Sequence, residues 1–255
     1  MLAPGLAGWV QSKPVLTGAQ AYCAQALTLT GSTLLPANER RRATPTIKLA
    51  LQAAEQVLAQ VDLQGETLWS VFASSSGDGR IIDSICKVLT LPGRPVSPTQ
   101  FHNSVHNAPA GYWSIAAASQ RPSVSLSAHE GTFSAGLLDA AVTVAVEGVS
   151  VLLVAYDHPL PSPLGEKRPL AAPFACAFIL SAERGETNAA KLSLTTAMAG
   201  NEDKLADVEL EELRCGNPAA RGLPLLQALA IGKERAVALP YLDGCWLCVG
   251  LQPSN

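Results

Sequence analysis

A chain of 255 residues, 48% hydrophobic and 15% charged, has ample material for a core and suits one large α/β domain or two small ones. Its formal net charge of -3 supplies no clustered basic face, so the electrostatic footprint of a nucleic-acid binder is excluded. The six cysteines are scattered, as expected of a reducing compartment. MLAPGLAGWV has no charged n-region ahead of a long apolar run, and the most apolar windows, around 137–156, are broken by Asp139 and Glu147. Neither a signal peptide nor a membrane span is expected, and the expected location is the cytoplasm.

Residues 1–42 are dotted with Gly, Pro and Thr and read as an irregular segment, with a short strand or helix at 19–29. Arg40-Arg41-Arg42 beside Glu39 reads as a solvated helix entry, or as a contact for an acidic partner. Thr44-Pro45 opens a helix with a hydroxyl N-cap and Pro at the first helical position. Ile47, Leu51, Ala54, Leu58 and Val61 then give it one apolar face. LWSVFAS (68–74) is a buried strand, SSSGDG (74–79) a turn, and 80–90, with Ile81, Ile82, Ile85 and Val88, a second helix.

A proline-rich loop, 92–109, leads to a helical piece at 110–119 and a strand at 123–128. The helix 131–147 is rich in Ala and Val and is expected to be buried on most sides. VSVLLVAYD (149–157) is the continuous apolar run of a central parallel strand. After the proline-rich loop 158–173 come strands 174–183 and 191–199, joined by the polar turn RGETN. An acidic stretch with a helix at 203–213, a helix at 218–231 and a strand pair around the Tyr241–Gly244 turn close the chain. The order of elements indicates an α/β fold: a mixed five-stranded sheet with helices on both faces. Three parts are expected: the segment 1–42, a domain over 43–200, and an extension, 201–255, packing on that domain. No internal repeat is visible.

SVSLSAHEGTFSAG (123–136) is a short strand turning through a tight elbow into a helix, a place where enzymes mount a nucleophile. The elbow carries Ala128, His129 and Glu130, with no Cys at its apex. With VSPTQFHNSVHNAPAG (96–111) before it and FACAFIL…KLSLTTAMAG after it, the stretch resembles the N-terminal half of β-ketoacyl synthases, the thiolase-like condensing enzymes. The resemblance runs from about Arg40 to about Gly200 and implies a thiolase-like half-fold. Matching Gly131 and Gly136 to the family's elbow, roughly SxxTACATGxxAIG, puts Ala128 where the family has its cysteine.

Two departures follow. A methyl group cannot form a thioester, and all four histidines lie at or before His158, so the half that supplies the family's two catalytic histidines is expected to be missing. Such a pattern resembles a chain length factor, the inactive partner of a ketosynthase, and its shortness resembles the subunits of aryl polyene and type II polyketide systems. The resemblance implies a heterodimer with a full-length ketosynthase, transient contact with acyl carrier protein, and no cofactor or metal. It also implies an interface along Ser123, Val124, Ser125, Leu126 and Ser127. Tunnel or gate candidates are Ile81, Ile82, Asp83 and Ile85, with Tyr112 and Trp113. His129 and Glu130 are candidates for a relic pocket.

Other readings remain open at this point. A stand-alone thioester hydrolase or malonyl decarboxylase would use His129 and Glu130, and a homodimeric binding protein would use no acyl substrate. A Ser127-His129-Glu130 triad is disfavoured, because near neighbours on an elbow cannot converge as nucleophile, base and orienter. His102 and His106 have helical ligand spacing, but Pro98 and Pro109 flank them and no further ligand stands nearby. Cys245 and Cys248 form a bare CxxC whose side chains point to opposite faces of a strand.

Overall fold

A computed structural model describes residues 1–61, 63–183, 185, 188–198 and 200–254. The N-terminal stretch holds two helices, α1 (Trp9–Leu16) and α2 (Ala37–Arg42); the strand or helix expected at 19–29 is extended chain without either. Then come α3 (Pro45–Leu58), β1 (Trp69–Ala73), α4 (Gly79–Leu89), α5 (Pro98–Asn103), α6 (Ala108–Ala116) and β2 (Ser123–Leu126). The elbow leads into α7 (Thr132–Glu147), followed by β3 (Val151–Asp157), α8 (Leu164–Lys167), β4 (Phe174–Leu180) and β5 (Ala190–Ala197). The chain closes with α9 (Val208–Cys215), α10 (Leu223–Ile231), β6 (Arg235–Leu242) and β7 (Cys245–Pro253).

Local signals act as expected at several ends. Thr44 caps α3 by accepting from the Ile47 amide at 3.2 Å, and Asp78 caps α4 by accepting from the Ile81 amide at 3.2 Å. Two loops expected to be irregular fold short helices, α5 and α8, each begun close to a proline.

The strands form two sheets where one of five strands was expected. The first has the order β2-β1-β3-β4, with β1 parallel to β2 and β3, and β4 antiparallel to β3. β5, the expected fifth strand, instead pairs antiparallel with β7 in a second sheet, β5-β7-β6. Its place beside β4 is taken by Leu2, whose amide donates to Ala175 O at 2.7 Å and whose carbonyl accepts from the Ala175 amide at 2.8 Å. The far edge of β6 is covered too: the Asp203 amide donates to Ala238 O at 2.9 Å, and its carboxylate accepts from the Ala238 amide at 2.7 Å. Covering an edge keeps it from templating a stray strand.

Alternation along β3 sorts the core. Leu152, Val154 and Tyr156 face α3 and α6, while Val151, Leu153 and Ala155 face α7 and α10. The inner residues of β6 and β7 cover α7 and α10 from the opposite side. The layers therefore run helices, first sheet, helices, second sheet. A repeat that the sequence hides is visible in the shape. α7 ends at left-handed Gly148 (φ 66), then β3 and the antiparallel β4 follow; α10 ends at left-handed Gly232 (φ 66), then β6 and the antiparallel β7 follow.

Candidate functional site

β2 is an edge strand. Because Ser70 N donates to Pro122 O and Ser74 N donates to Leu126 O, even-numbered residues of β2 turn their backbone toward β1. Ser123 and Ser125 turn theirs outward, to an edge that no described strand covers. Val124 on the α7 side is 42% exposed, and on the other side Ser123 and Ser125 line a groove of about 350 Å³ with Asn107, Ala110, Gly111 and Ser114.

The elbow is pinned from within. Thr132 Oγ1 accepts from the Ala128 amide at 3.0 Å and donates to His129 O at 2.7 Å, while Ser127 Oγ donates to Ser75 O at 3.1 Å. A side chain at Gly131 would overlap the Tyr241 carbonyl, so the β6–β7 hairpin sits directly against the elbow. Gly136 lets α7 press onto β1: a Cβ there would stand 2.7 Å from that of Ala73. The residue in the left-handed region is His129 (φ 51), one position past Ala128. Such a conformation in a non-glycine residue is uncommon and points to function or strong local constraint.

His129 does not enter an enclosed site: its side chain is 72% exposed, and its Nδ1 is 4.0 Å from Glu130 Oε1. Glu130 instead accepts from Arg221 at 3.0 Å and 3.3 Å. Arg221 also approaches Glu202 at 3.8 Å, and Glu202 and Glu211 both pair with Arg214, whose side chain is fully buried. Hydrogen bonds from Arg214 hold Glu211 down at about 2 and lower Glu202. A chain of charges thus ties the elbow to the segment 202–221. Lone charge letters gave no signal for it in the sequence.

A second polar cluster lies at the C-terminal end of β3. Asp157 is completely buried, and its Oδ1 accepts from Ser74 Oγ at 2.9 Å, the Ser75 amide at 2.9 Å and the Ser76 amide at 3.3 Å. Its Oδ2 has no partner. Asn217, equally buried, donates to Asp157 O at 3.4 Å and Ala172 O at 2.8 Å while accepting from the Ala219 and Ala220 amides. Sequence reasoning passed over both residues; the one available signal was a carboxylate ending an otherwise apolar strand.

The remaining candidates separate. On α4, Ile82 is 40% exposed and Ile81 and Ile85 are half-buried, while Asp83 pairs with Lys87 at 2.7 Å. Tyr112 and Trp113 are 1% exposed and fill the core against α3, so they present no surface to another chain. His102 stacks edge-on to Tyr112, and His106 Nε2 lies 2.9 Å from Ser74 O. Cys245 and Cys248 are free and lie on opposite faces of β7. Among the described residues no three His, Cys, Asp or Glu converge as metal ligands, and no helix is long and apolar enough to cross a membrane.

The family profile described as "Beta-ketoacyl synthase, N-terminal domain" matches residues 16–240. This chain belongs to that beta-ketoacyl synthase family. The match reaches well beyond the 40–200 span of the motifs, into α10 and β6. No curated protein matches the chain. Among solved structures, a chain of the ketosynthase ApeO in complex with its chain length factor ApeC from Xenorhabdus doucetiae is 23% identical, with TM-score 0.72. That alignment covers 98% of this chain and 95% of that one. A chain of the ishigamide ketosynthase/chain length factor is 13% identical, with TM-score 0.72 and coverage of 100% and 98%. A chain of AntDE:AntF, a type II acyl carrier protein in complex with its ketosynthase, is 13% identical, with TM-score 0.72 and coverage of 99% and 97%. At these identities the likeness shows the fold.

For this beta-ketoacyl synthase relative, the elbow is present and the thiol is absent. Past Gly200, α10, β6 and β7 join β5 in a unit that buries α7 from the far side.

Burial pushes the Asp157 carboxyl up to about 6, against the hydrogen bonds from Ser74, Ser75 and Ser76, which pull it down. A folded value above the unfolded one means the folded state keeps a proton that the unfolded state has lost. Stability from this group is therefore full below the ordinary carboxylate range and falls as pH rises through about 6. Asp157→Asn removes that descending contribution. Denaturant unfolding from pH 4 to pH 7 should show the gap between wild type and variant changing by about 2–3 kcal/mol in the variant's favour. A constant gap would mean that Asp157 does not titrate in this window.

Proposed function

We propose that this chain is a non-catalytic subunit that pairs with a full-length ketosynthase and shapes its acyl tunnel, as a chain length factor does. The pair would condense malonyl units on acyl carrier protein by decarboxylation. The observation that carries the reading is Ala128 at the elbow. Acyl transfer in a condensing enzyme needs an activated thiolate, and decarboxylation needs groups that stabilise an enolate. Here the apex holds a methyl group, Glu130 is committed to Arg221, and the Tyr241 carbonyl fills the space above Gly131.

The surface supports pairing. The open edge of β2 offers the backbone groups of Ser123 and Ser125, a mode of strand addition that gives affinity through main-chain hydrogen bonds. Apolar side chains are exposed on α6, which packs on β2, at Ile115, and elsewhere at Ile82 and Leu89 on α4, Phe101 on α5 and Val105. Exposed apolar surface of this amount is consistent with an interaction site. The similar structures include assemblies of a ketosynthase with a chain length factor, which agrees with such a partner. Within the tunnel reading, Ile81, Ile82, Asp83 and Ile85 are the gate candidates, because α4 carries its apolar side chains outward.

Coexpressed with its ketosynthase, the chain should form a stable heterodimer in which a radiolabelled acyl thioester labels the ketosynthase alone. Covalent loading of this chain, or thioester hydrolysis by it that His129→Ala abolishes, would favour the stand-alone enzyme instead. Ser125→Pro removes an outward amide that makes no bond within the sheet, so the variant should stay folded by circular dichroism while losing the heterodimer in size-exclusion chromatography. Ile82→Trp should shorten the product in the reconstituted pair with little change in ketosynthase acylation. An unaltered product length removes Ile82 from the gate.

A further inference from the structure

α4 is an amphipathic helix that the fold scarcely buries. Of its eleven residues, Gly79 alone is buried, beneath the Leu160 side chain. Ile81, Asp83, Ser84, Ile85 and Val88 are half-buried, and among the described residues its one side-chain hydrogen bond to another element runs from Gln100 Nε2 to Ser84 Oγ at 2.7 Å. A helix with one buried residue takes its direction in large part from the turn that launches it.

That turn, residues 74–78, is held from three elements at once. From β3, Asp157 Oδ1 takes the Ser74 hydroxyl and the Ser75 and Ser76 amides. From the elbow, Ser127 Oγ donates to Ser75 O. From the loop before α6, the His106 ring meets Ser74 O. The Ser74 hydroxyl, while donating to Asp157, accepts from the Gly77 amide at 3.0 Å and so closes the turn on itself. Left-handed Gly77 (φ 60) and then the Asp78 cap complete the entry to α4. No other side chain gathers as many of these bonds as Asp157.

We propose that Asp157 is a positioning residue: by gathering the 74–76 turn on one carboxylate oxygen it fixes the direction of α4 and of the apolar face that α4 presents. The acceptor geometry of Oδ1 does this work, and Oδ2, which has no partner, is dispensable. The same bonds connect the elbow to α4, since Ser127 and Asp157 hold neighbouring atoms of one turn. The effect on α4 stands on the structure of this chain alone. An effect on product length rests in addition on the tunnel reading above.

Hydrogen exchange read by mass spectrometry on the isolated chain tests the proposal, because exchange reports local opening free of the partner. Asp157→Ala should speed exchange at Ser75, Ser76 and across 79–89 by tenfold or more, while β1 and β3 keep their protection. Asp157→Asn, which keeps the acceptor oxygen, should stay within about threefold of wild type. Ser127→Ala, at an exposed position, should give a smaller loosening over the same residues, and supplies the reading if Asp157→Ala does not fold. Unchanged exchange across 79–89 in Ser127→Ala and in a folded Asp157→Ala overturns the proposal, as does an Asp157→Asn protein that loosens tenfold. Product length measured for the same variants with the ketosynthase separates the two ideas: loosened α4 with unaltered length keeps Asp157 as the positioning residue and removes α4 from the gate.

Discussion

α7 must be covered on two opposite sides, and most of the architecture answers that requirement. A sixteen-residue helix of Ala, Val, Leu and small polar residues has no wide polar face to give to water. The first sheet takes one side, close enough that Gly136 abuts Ala73 and Leu153, and the second sheet with α10 takes the other. Placing the second sheet there brings the β6–β7 hairpin onto the elbow, where only glycine fits at position 131. The elbow is thus shaped from both flanks. Packing at Gly131 and Gly136 maintains its geometry.

Two polar devices join the parts that this packing brings near. The charge chain from Glu130 through Arg221 and Glu202 to Arg214 and Glu211 spans the gap between the elbow and α9. Isolated surface pairs contribute little, but Arg214 is buried and doubly paired, so losing both carboxylates would leave its charge uncompensated in the interior. The Asp157 and Asn217 cluster does the same for the ends of β1, β3 and the turn before α10, with neutral donors. Both devices place buried polar groups where segments join.

Exposure is distributed unevenly in consequence. The edges of β4 and β6 are covered by Leu2 and Asp203, whereas β2 is left open between a groove of small residues and an exposed Val124. α4 and α5 carry isoleucine, leucine and phenylalanine outward. Of the four sheet edges, those of β4 and β6 are thus shielded, and that of β2 is left unpaired among the described residues.

The sequence by itself determined the elements whose causes are local. Thr44-Pro45 starts α3, the apolar run 149–157 makes a central strand, and Gly131 and Gly136 mark the elbow and set Ala128 in it. It also determined that the two CxxC thiols part to opposite faces, since strand periodicity is fixed. Tertiary structure alone decided where β5 pairs: adjacency in the chain favours β4, but Leu2 already satisfies that edge, and β7 offers a full antiparallel ladder. It alone buried Tyr112 and Trp113, which periodicity cannot tell from surface aromatics on a short helix. It alone revealed the repeated helix–strand–strand unit and the gathering of Ser74, Ser75, Ser76 and Asp157, because hydrogen bonds between residues some eighty positions apart leave no trace in spacing.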